Sequence, residues 1–188
     1  MIKDFYEEYL EFLLKHEISP KVLDKALHKD ICNQLVPILV KNNPKNILEI
    51  GTFKGFSMGL FRYFIADSNV VSIDIVRYKE AAIIASLFNK CELIEGQSTE
   101  ILRRNIRTKF DLVLIDGCHT YSGCKSDWLN IKNNMANRCM ILFDDLGHKR
   151  GCGKVFHQIE GCQYAKQVLL INGDACMGIL EKVGDTLE

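Results

Sequence analysis

The feature that most constrains the fold is an alternation of apolar strands with helices, which runs from residue 46 to residue 183. The predicted strands are short and almost continuously apolar, as expected of strands that are buried on both faces of a sheet. Helices that connect such strands lie on both sides of the sheet, because crossover connections are right-handed. The alternation therefore predicts an α/β fold with a doubly wound, mostly parallel sheet.

The predicted elements are strands 46–51, 70–74, 91–96, 110–116, 138–145, 166–171 and 176–183, with helices 56–65, 79–88, 123–135 and 153–160 and a short helix after Ser98. The last two strands are joined only by the sequence NGDA, which is too short for a crossover helix. We therefore expect them to form an antiparallel hairpin at one edge of the sheet.

Two more helices, 4–16 and 21–42, are predicted before the first strand from apolar residues at helical spacing. With 188 residues, the chain can bury one core but is too short for two ordinary domains. We expect residues 1–43 to pack on the core that residues 44–188 form, within a single globular domain.

The charge balance and the N-terminus argue against nucleic-acid and membrane partners. The 24 Lys and Arg residues are balanced by 24 Asp and Glu residues, so the chain has no net positive field to attract a polyanion. The N-terminal segment is acidic where a signal peptide would be basic, and no apolar run is long enough to span a membrane. The eight cysteines are scattered and include no CxxC pair, which indicates reduced thiols. We expect a cytoplasmic protein.

Polar or glycine residues follow five of the predicted strands. In an open parallel sheet, the carboxyl ends of the strands share one rim, and ligands bind there. The residues are Glu49, Gly51 and Gly55 at the first strand, Asp74 at the second, Glu95 to Ser98 at the third, Asp116 to His119 at the fourth, and Asp144 with Asp145 at the fifth. The sequence therefore predicts a ligand cavity at this rim.

The segment EIGTFKGFS, residues 49–57, connects the first strand to its helix. Gly51 and Gly55 allow a sharp turn and a close approach of a ligand, but the spacing is not the GxGxxG of dinucleotide folds. The carboxylate of Glu49 suits a cationic ligand better than a pyrophosphate. Asp74 fits a carboxylate that accepts hydrogen bonds from both ribose hydroxyls of an adenosine. The alternative for this segment is a tight turn without a ligand.

Three carboxylates, those of Asp116, Asp144 and Asp145, are expected to converge at the ends of neighbouring strands. Like charges at such proximity raise one another's pKa values unless a cation lies among them. Oxygen ligands favour a hard ion, so we expect Mg²⁺ first, with Mn²⁺ or Ca²⁺ as alternatives.

The motifs ILEIGTFKGFS, SID at 72–74, LIEGQS, DLVLIDGCHTY and ILFDD resemble, in the same order, those of class I S-adenosylmethionine-dependent methyltransferases. They are similar in particular to the small, metal-dependent O-methyltransferase branch, which includes catechol, caffeoyl-CoA and antibiotic-tailoring sugar methyltransferases. The resemblance covers about residues 44–183. It implies a Rossmann-like sheet of seven strands whose last strand is antiparallel, with S-adenosylmethionine as the cofactor.

The resemblance also implies roles for individual residues. Gly51 and its neighbours would contact the methionine part of the cofactor, Asp74 the ribose, and Gln97 with Ser98 the adenine. The full implied cofactor set is Glu49, Gly51, Thr52, Phe53, Gly55, Ser57, Asp74, Gly96, Gln97, Ser98 and Asp116. In relatives, the positions of Asp116, Asp144 and Asp145 hold a divalent ion that orients the substrate hydroxyl and lowers its pKa. Asp145 stands where the plant and animal enzymes carry asparagine.

His119 is the expected general base and, with Asp116, the expected catalytic pair. It lies three residues after Asp116, where several relatives carry a lysine, and an imidazole pKa near ~6.5 leaves a neutral nitrogen at cellular pH. The alternatives for His119 are a helix cap or a contact to the cofactor. His148 and Lys149 are the next candidates, unless they belong to a solvated loop.

The expected function is methyl transfer from S-adenosylmethionine to a hydroxyl of a small molecule such as a phenol, a catechol or a sugar. One alternative is a non-catalytic S-adenosylmethionine- or nucleotide-binding protein, which the three aspartates disfavour. Another is a nicotinamide-dependent oxidoreductase, which the missing GxGxxG disfavours. A homodimer is possible. Asp127 is expected to belong to a solvated helix face, and Tyr121 and Trp128 to pack that helix onto the sheet.

Overall fold

The computed structural model describes residues 3–19, 27–104, 106–147, 151–161 and 164–182. Within these residues the strands are β1 (Asn46–Ile50), β2 (Asn69–Asp74), β3 (Cys91–Glu95), β4 (Phe110–Ile115), β5 (Met135–Phe143), β6 (Tyr164–Ile171) and β7 (Asp174–Lys182). The helices are α1 (Phe5–Lys15), α2 (Lys29–Asn42), α3 (Phe56–Phe64), α4 (Lys79–Ser86), α5 (Ser98–Arg104), α6 (Tyr121–Ile131) and α7 (Gly151–Gln158).

The strands form one seven-stranded sheet in the order β3-β2-β1-β4-β5-β7-β6. Strands β1 to β5 pair in parallel, whereas β7 pairs antiparallel with both β5 and β6. The predicted α/β fold, its doubly wound parallel sheet and its antiparallel C-terminal hairpin are confirmed. The carboxyl ends of the parallel strands lie along one edge.

Both faces of the sheet are covered, which explains the almost continuous apolar runs. Neighbouring residues of a strand point to opposite faces, so Ile47 joins the core on one side and Leu48 the core on the other. The first core includes residues of α1, α2 and α3, and the second includes residues of α6 and α7. None of the helices in the described ranges is both long and apolar enough to cross a membrane.

The N-terminal helices pack through aromatic and aliphatic side chains. The side chain of Asp4 caps α1 by accepting a hydrogen bond from Glu7 N, and Tyr9 and Leu13 of this helix are fully buried. The ring of Tyr9 contacts Phe56 of α3 edge-on, with the centroids 5.2 Å apart. The helix predicted at 21–42 begins later, because His28 is extended and caps the N-terminus of α2; residues 20–26 lie outside the described ranges.

The largest difference from the predicted elements lies between α6 and β5. We predicted a helix at 123–135, but α6 begins at Tyr121, because the side chain of Thr120 caps the helix by accepting a hydrogen bond from Gly123 N. A short 3-10 helix, Lys132–Asn134, then leads into β5, which begins at Met135 rather than at 138. Met135 pairs with Phe110 of β4, so sheet pairing extends the strand beyond its apolar run.

Candidate active site

A cavity of about 1570 Å³ lies at the carboxyl ends of the parallel strands. Its wall includes residues that directly follow β1, β2, β3, β4 and β5. Cavities that hold one drug-sized ligand usually measure roughly 300–1,000 Å³. This cavity therefore has room for a nucleoside cofactor and a second small molecule.

The turn after β1 requires glycine at position 51. Gly51 has φ +96°, and a Cβ atom at this position would lie 2.2 Å from the carbonyl oxygen of Asp116. The amide of Gly51 donates a hydrogen bond to Ile73 O at 2.9 Å. The backbone at the end of β1 thus lies directly against the end of β4, which leaves the space in front of Gly51 free for a ligand.

The carboxylate of Asp74 is held in place by two backbone amides. Phe53 N donates to Oδ2 at 2.7 Å, and Val76 N donates to Oδ1 at 3.1 Å. Phe53 adopts a left-handed φ of 44° to make this contact possible, a conformation that side chains rarely adopt. Asp74 lines the cavity, and its oxygens retain acceptor capacity for two hydroxyl groups.

The structure separates the predicted cofactor residues into two groups. Seven line the cavity: Gly51, Phe53, Asp74, Gly96, Gln97, Ser98 and Asp116. Four do not belong to its wall: Glu49, Thr52, Gly55 and Ser57. The second group lies beneath the turn, where its members support the backbone that faces the cavity.

The position of Glu49 differs from the prediction that its carboxylate contacts a cationic ligand. Its side chain is fully buried and accepts hydrogen bonds from the hydroxyls of Ser57 and Ser72. Burial raises the pKa of Glu49 to about 7, and the two hydroxyl hydrogen bonds offset part of that rise. Glu49 therefore faces the interior, and its carboxyl group does not point at a cationic ligand in the cavity.

Asp116 and Asp144 lie at the ends of the neighbouring strands β4 and β5. Burial raises the pKa of Asp116 well above its ordinary value, and the charges of Asp144 and Glu49 add to the effect. Burial and the charge of Asp145 also raise the pKa of Asp144. A cation among these carboxylates would oppose both shifts, because it favours the ionised forms.

Asp145 and His119 form the second part of the acidic cluster. Asp145 Oδ2 lies 3.1 Å from His119 Nδ1, within ion-pairing distance, and Asp145 has a left-handed φ of 55°. That backbone conformation is tolerated best by glycine, asparagine and aspartate. His119 Nδ1 is buried and, within the described residues, forms no hydrogen bond that meets the usual angular limits.

The cluster matches a divalent ion in chemistry but not in its present arrangement. Its oxygen donors are those that Mg²⁺ prefers. Among the described residues, however, no group of three or more His, Cys, Asp or Glu side chains is arranged to hold a metal ion. Asp145 Oδ2 lies beside His119 Nδ1. Metal binding by Asp116, Asp144 and Asp145 stays a prediction.

The alternatives for His119 and its neighbours are narrowed by the structure. Thr120, not His119, caps α6, so the helix-cap alternative for His119 is not supported. His119 lines the cavity with Cys118, whose exposed thiol lies 3.1 Å from Thr120 Oγ1. The other predicted candidates, His148 and Lys149, lie outside the described residues.

Sequence reasoning missed one part of the cavity wall. This wall comes from the start of α2 and from the β6–β7 hairpin: Leu27, His28, Ile31, Ile171, Asp174, Ala175 and Cys176. Neither segment follows a parallel strand, so the strand-end rule does not find it. The apolar residues of the hairpin alternate as in any strand, and only the antiparallel return beside β5 brings them to the cavity.

Asp127 was predicted to be solvated, and this prediction is wrong. It is only 4% exposed, lines the cavity from α6 and accepts a hydrogen bond from Ser98 Oγ at 2.6 Å. Its helical neighbour Trp128 is buried against Phe143, with ring centroids 5.9 Å apart, as the packing interpretation predicted. An isolated acidic residue in a helix gives no sequence signal of burial, because the partner that allows it, Ser98, is distant in the chain.

Solved structures show the same fold. A protein from Staphylococcus aureus described as a caffeoyl-CoA O-methyltransferase has a TM-score of 0.66 at 20% identity, covering 95% of this chain and all of its own. An O-methyltransferase from Bacillus cereus in complex with SAH has a TM-score of 0.70 at 16% identity, with 97% of this chain and 91% of that chain covered. An O-methyltransferase from Streptomyces achromogenes, involved in tomaymycin synthesis and bound to SAM, has a TM-score of 0.65 at 15% identity, with coverages of 97% and 90%.

A search of curated proteins finds no significant match. The model of a methyltransferase domain matches residues 48–146, which span the strand-end motifs from β1 to the acidic pair after β5. This match covers more than half of the 188 residues. The chain therefore belongs to this methyltransferase family, and the resemblance of its motifs to class I methyltransferases is confirmed.

Proposed function

We propose that this protein transfers the methyl group of S-adenosylmethionine to a hydroxyl group of a small molecule. The observation that carries the proposal is one cavity with two chemically distinct ends. At one end the fixed carboxylate of Asp74 suits the two ribose hydroxyls of the cofactor. At the other, His119 and the acidic cluster suit a hydroxyl that must lose its proton.

The reaction is a displacement at the methyl carbon. The substrate oxygen forms a bond to this carbon while the carbon–sulfur bond breaks and leaves a neutral thioether. The ring of His119 takes the hydroxyl proton, most simply through Nε2, because Nδ1 faces Asp145. Asp145 orients the ring and stabilises the positive charge that it acquires. Holding the oxygen, carbon and sulfur in line can contribute roughly 7–11 kcal/mol to lowering the barrier.

A divalent ion held by Asp116, Asp144 and Asp145 is part of the proposal. What supports it is the donor chemistry: neighbouring carboxyl groups whose pKa values are raised by burial and mutual repulsion, as expected for a site that gains from a cation. Mg²⁺, Mn²⁺ or Ca²⁺ would orient the substrate hydroxyl and lower its pKa.

The part of the cavity wall formed by the start of α2 and the β6–β7 hairpin supports an aromatic hydroxyl as the substrate. Leu27, Ile31, Ile171 and Ala175 give this wall an apolar surface beside the polar groups. A phenol or catechol presents an apolar ring together with its hydroxyl, so it suits this surface better than a sugar. The scattered cysteines without a CxxC pair support reduced thiols and a cytoplasmic location.

The first test is calorimetric titration with S-adenosylhomocysteine, in Mg²⁺ and in EDTA, together with a titration of Mg²⁺ alone. The variants are Asp144→Ala/Asp145→Ala and, as a control for loss of surface charge, Asp67→Asn, whose side chain is 85% exposed. We expect the wild type and Asp67→Asn to bind both ligands, and the double variant to lose Mg²⁺ binding.

Turnover is then measured with S-adenosylmethionine and a panel of phenols, catechols and sugars, by mass-spectrometric detection of the methylated product. Nucleoside binding without metal binding would retain the methyltransferase proposal and remove the metal. Nucleoside binding with no product from any acceptor would favour a protein that only binds the cofactor. If the wild type does not bind S-adenosylhomocysteine, the proposed function is wrong.

A further inference from the structure

The carboxylate of Asp127 is buried in the cavity wall, between Ser98 and Gly117. Acidic side chains are rarely this inaccessible unless other groups satisfy them, because loss of hydration is costly. Here Ser98 Oγ donates to Oδ1 at 2.6 Å and links α6 to the start of α5, just after β3. Within the described residues, no lysine or arginine forms an ion pair with Asp127.

The second oxygen, Oδ2, has a different environment. Ser98 provides the single hydrogen bond to this side chain within the described residues, and it uses Oδ1. Gly117 lies on the side of Oδ2, since a Cβ atom added at Gly117 would lie 3.6 Å from this oxygen. Gly117 and Asp127 both line the cavity. A hydrogen-bond acceptor is therefore fixed in the wall without a partner for one of its oxygens.

The proposed function determines which part of the cofactor comes near this acceptor, and the inference rests on it. The ribose lies at Asp74, at the end of β2, and the methyl group must reach Asp116 and His119 beyond β4. The base must then leave the ribose on the side away from the acidic cluster. Gly96, Gln97, Ser98 and Asp127 form the cavity wall there.

We propose that Asp127, held by Ser98, accepts a hydrogen bond from the exocyclic amino group of the cofactor's purine. Oδ2 is an acceptor, adenine presents an amino donor at C6, and hypoxanthine presents a carbonyl oxygen at the same place. The site therefore selects an adenine base over a hypoxanthine base, in addition to any contact that Gln97 makes. Asp127 is a specificity-determining residue, and Ser98 is its positioning residue.

Burial of the Asp127 carboxyl group supports this role. Burial raises its pKa above the ordinary value, and the hydrogen bond from Ser98 offsets part of the rise. An amino group that donates to Oδ2 would supply the second compensating interaction. A purely structural role, in which Asp127 only ties α6 to β3, would need Oδ1 alone and would leave the choice of base unaffected.

The test compares the binding of S-adenosylhomocysteine and S-inosylhomocysteine by calorimetry to the wild type, Asp127→Asn and the exposed control Asp67→Asn. Asparagine keeps the shape of the side chain and can still accept from Ser98 with its oxygen, but it then presents an amino group to the cavity. We expect the wild type to prefer the adenosyl ligand about tenfold or more, since hydrogen bonds to charged groups are the stronger ones. Asp127→Asn should reduce this preference to about threefold or less, or reverse it, whereas Asp67→Asn should retain it.

Equal binding of the two ligands by the wild type, or an unchanged preference in a folded Asp127→Asn variant, would overturn the inference while leaving the methyltransferase proposal intact. Should Asp127→Asn not fold, Ser98→Ala takes its place, because loss of the positioning hydrogen bond should also lower the preference. Failure of the wild type to bind S-adenosylhomocysteine at all would remove the proposed function and, with it, the basis for this assignment.

Discussion

The buried carboxyl group of Glu49 makes the stability of this protein depend on pH. Its pKa in the folded state is about 7, raised by burial from 4.5. Between these two values the folded state binds more protons than the unfolded state, so this group lowers the free energy of unfolding as pH rises. Above pH 7 the ionised Glu49 lowers the free energy of unfolding by its full amount, which is on the order of 3 kcal/mol.

Glu49→Gln removes this dependence. Its amide oxygen still accepts from Ser57, and its amide nitrogen reverses the other hydrogen bond by donating to Ser72 Oγ. We expect the variant to gain stability relative to the wild type between pH 5 and pH 8, by up to about 3 kcal/mol. Urea unfolding at several pH values measures the difference directly and cancels the contributions of other groups. Parallel stability curves for the two proteins would show that Glu49 does not titrate in this range.

His119 carries the second prediction at this scale. His119→Ala should lower the rate of methyl transfer by roughly 10²–10⁴, because a positioned base contributes that much. Its effect on the dissociation constant for S-adenosylhomocysteine should stay within about twofold, since no step of cofactor binding depends on the imidazole. Turnover is measured with the best acceptor from the panel, and Cys118→Ser, a change at the exposed neighbouring residue, is the control. A rate unchanged from the wild type would assign the proton to another group.

Individual side chains differ in how far the sequence predicts them. The positions of Asp74 and Asp116 follow from the rule that strand ends meet at one edge, and both residues line the cavity. Glu49 lies two residues before Gly51 and was assigned to the ligand, but a residue inside a strand follows the alternation of its strand and points into a core. The burial of Asp127 could not be predicted, because its partner Ser98 lies 29 residues away along the chain and no local pattern connects the two.

At the scale of elements, the contact between α1 and α3 depends on a close fit at Gly59. A Cβ atom there would lie 2.0 Å from the hydroxyl oxygen of Tyr9 and 2.6 Å from Ile84 Cγ2. The Tyr9 hydroxyl is itself buried without a hydrogen-bond partner among the described residues. These helices therefore pack around the Tyr9 hydroxyl although it forms no hydrogen bond with the described residues.

Tyr9→Phe should raise the free energy of unfolding by about 1 kcal/mol, because a buried unpaired hydroxyl costs about 1–3 kcal/mol. Gly59→Ala should lower it by roughly 1–3 kcal/mol through overpacking, despite the better helix propensity of alanine. Combined, the two changes should cost less than the sum of their separate effects, since Tyr9→Phe removes the closest clashing atom. Gly147→Ala, where an added Cβ meets no atom of the described residues within 4 Å, is the control.

Urea denaturation of the four variants measures these differences. Destabilisation by Tyr9→Phe would mean that the hydroxyl is satisfied in solution, and strict additivity would mean that Tyr9 and Gly59 do not share the contact.

The ends of helices and strands were predictable where a turn residue or a capping residue marks them. They were less predictable where pairing between strands determines them. The helix predicted at 56–65 is found at Phe56–Phe64, directly after the glycine turn. The start of β5 was predicted three residues late, because Met135 belongs to the strand through its pairing with Phe110 of β4 rather than through an apolar run. The start of α6 could have been predicted from Thr120, a residue type that commonly caps helices, but the prediction considered only the apolar periodicity.

At the scale of the whole molecule, the cavity joins parts of the chain that fold far apart in sequence. Its wall includes Leu27 before α2, the ends of five parallel strands, and Cys176 in β7. The order of the strands in the sheet brings these segments together. The sequence could therefore predict only those wall residues whose strands had been placed correctly in the sheet. A ligand that fills the cavity contacts every one of these segments and should stabilise the fold as a unit.

Saturation with S-adenosylhomocysteine at about 100 times its dissociation constant should add about 2.7 kcal/mol to the free energy of unfolding. For a chain of this size, that corresponds to a rise in Tm of roughly 5–10 °C. Trp128, the only tryptophan of the sequence, reports on α6, and far-ultraviolet circular dichroism reports on all elements. Both signals should move to the same higher Tm, because ligand binding couples the walls.

Asp74→Ala should remove most of the shift, since this carboxylate is assigned to the ribose. A shift confined to the Trp128 signal would instead indicate that the ligand orders only the region around α6, and that the cavity does not unfold together with the sheet that builds it.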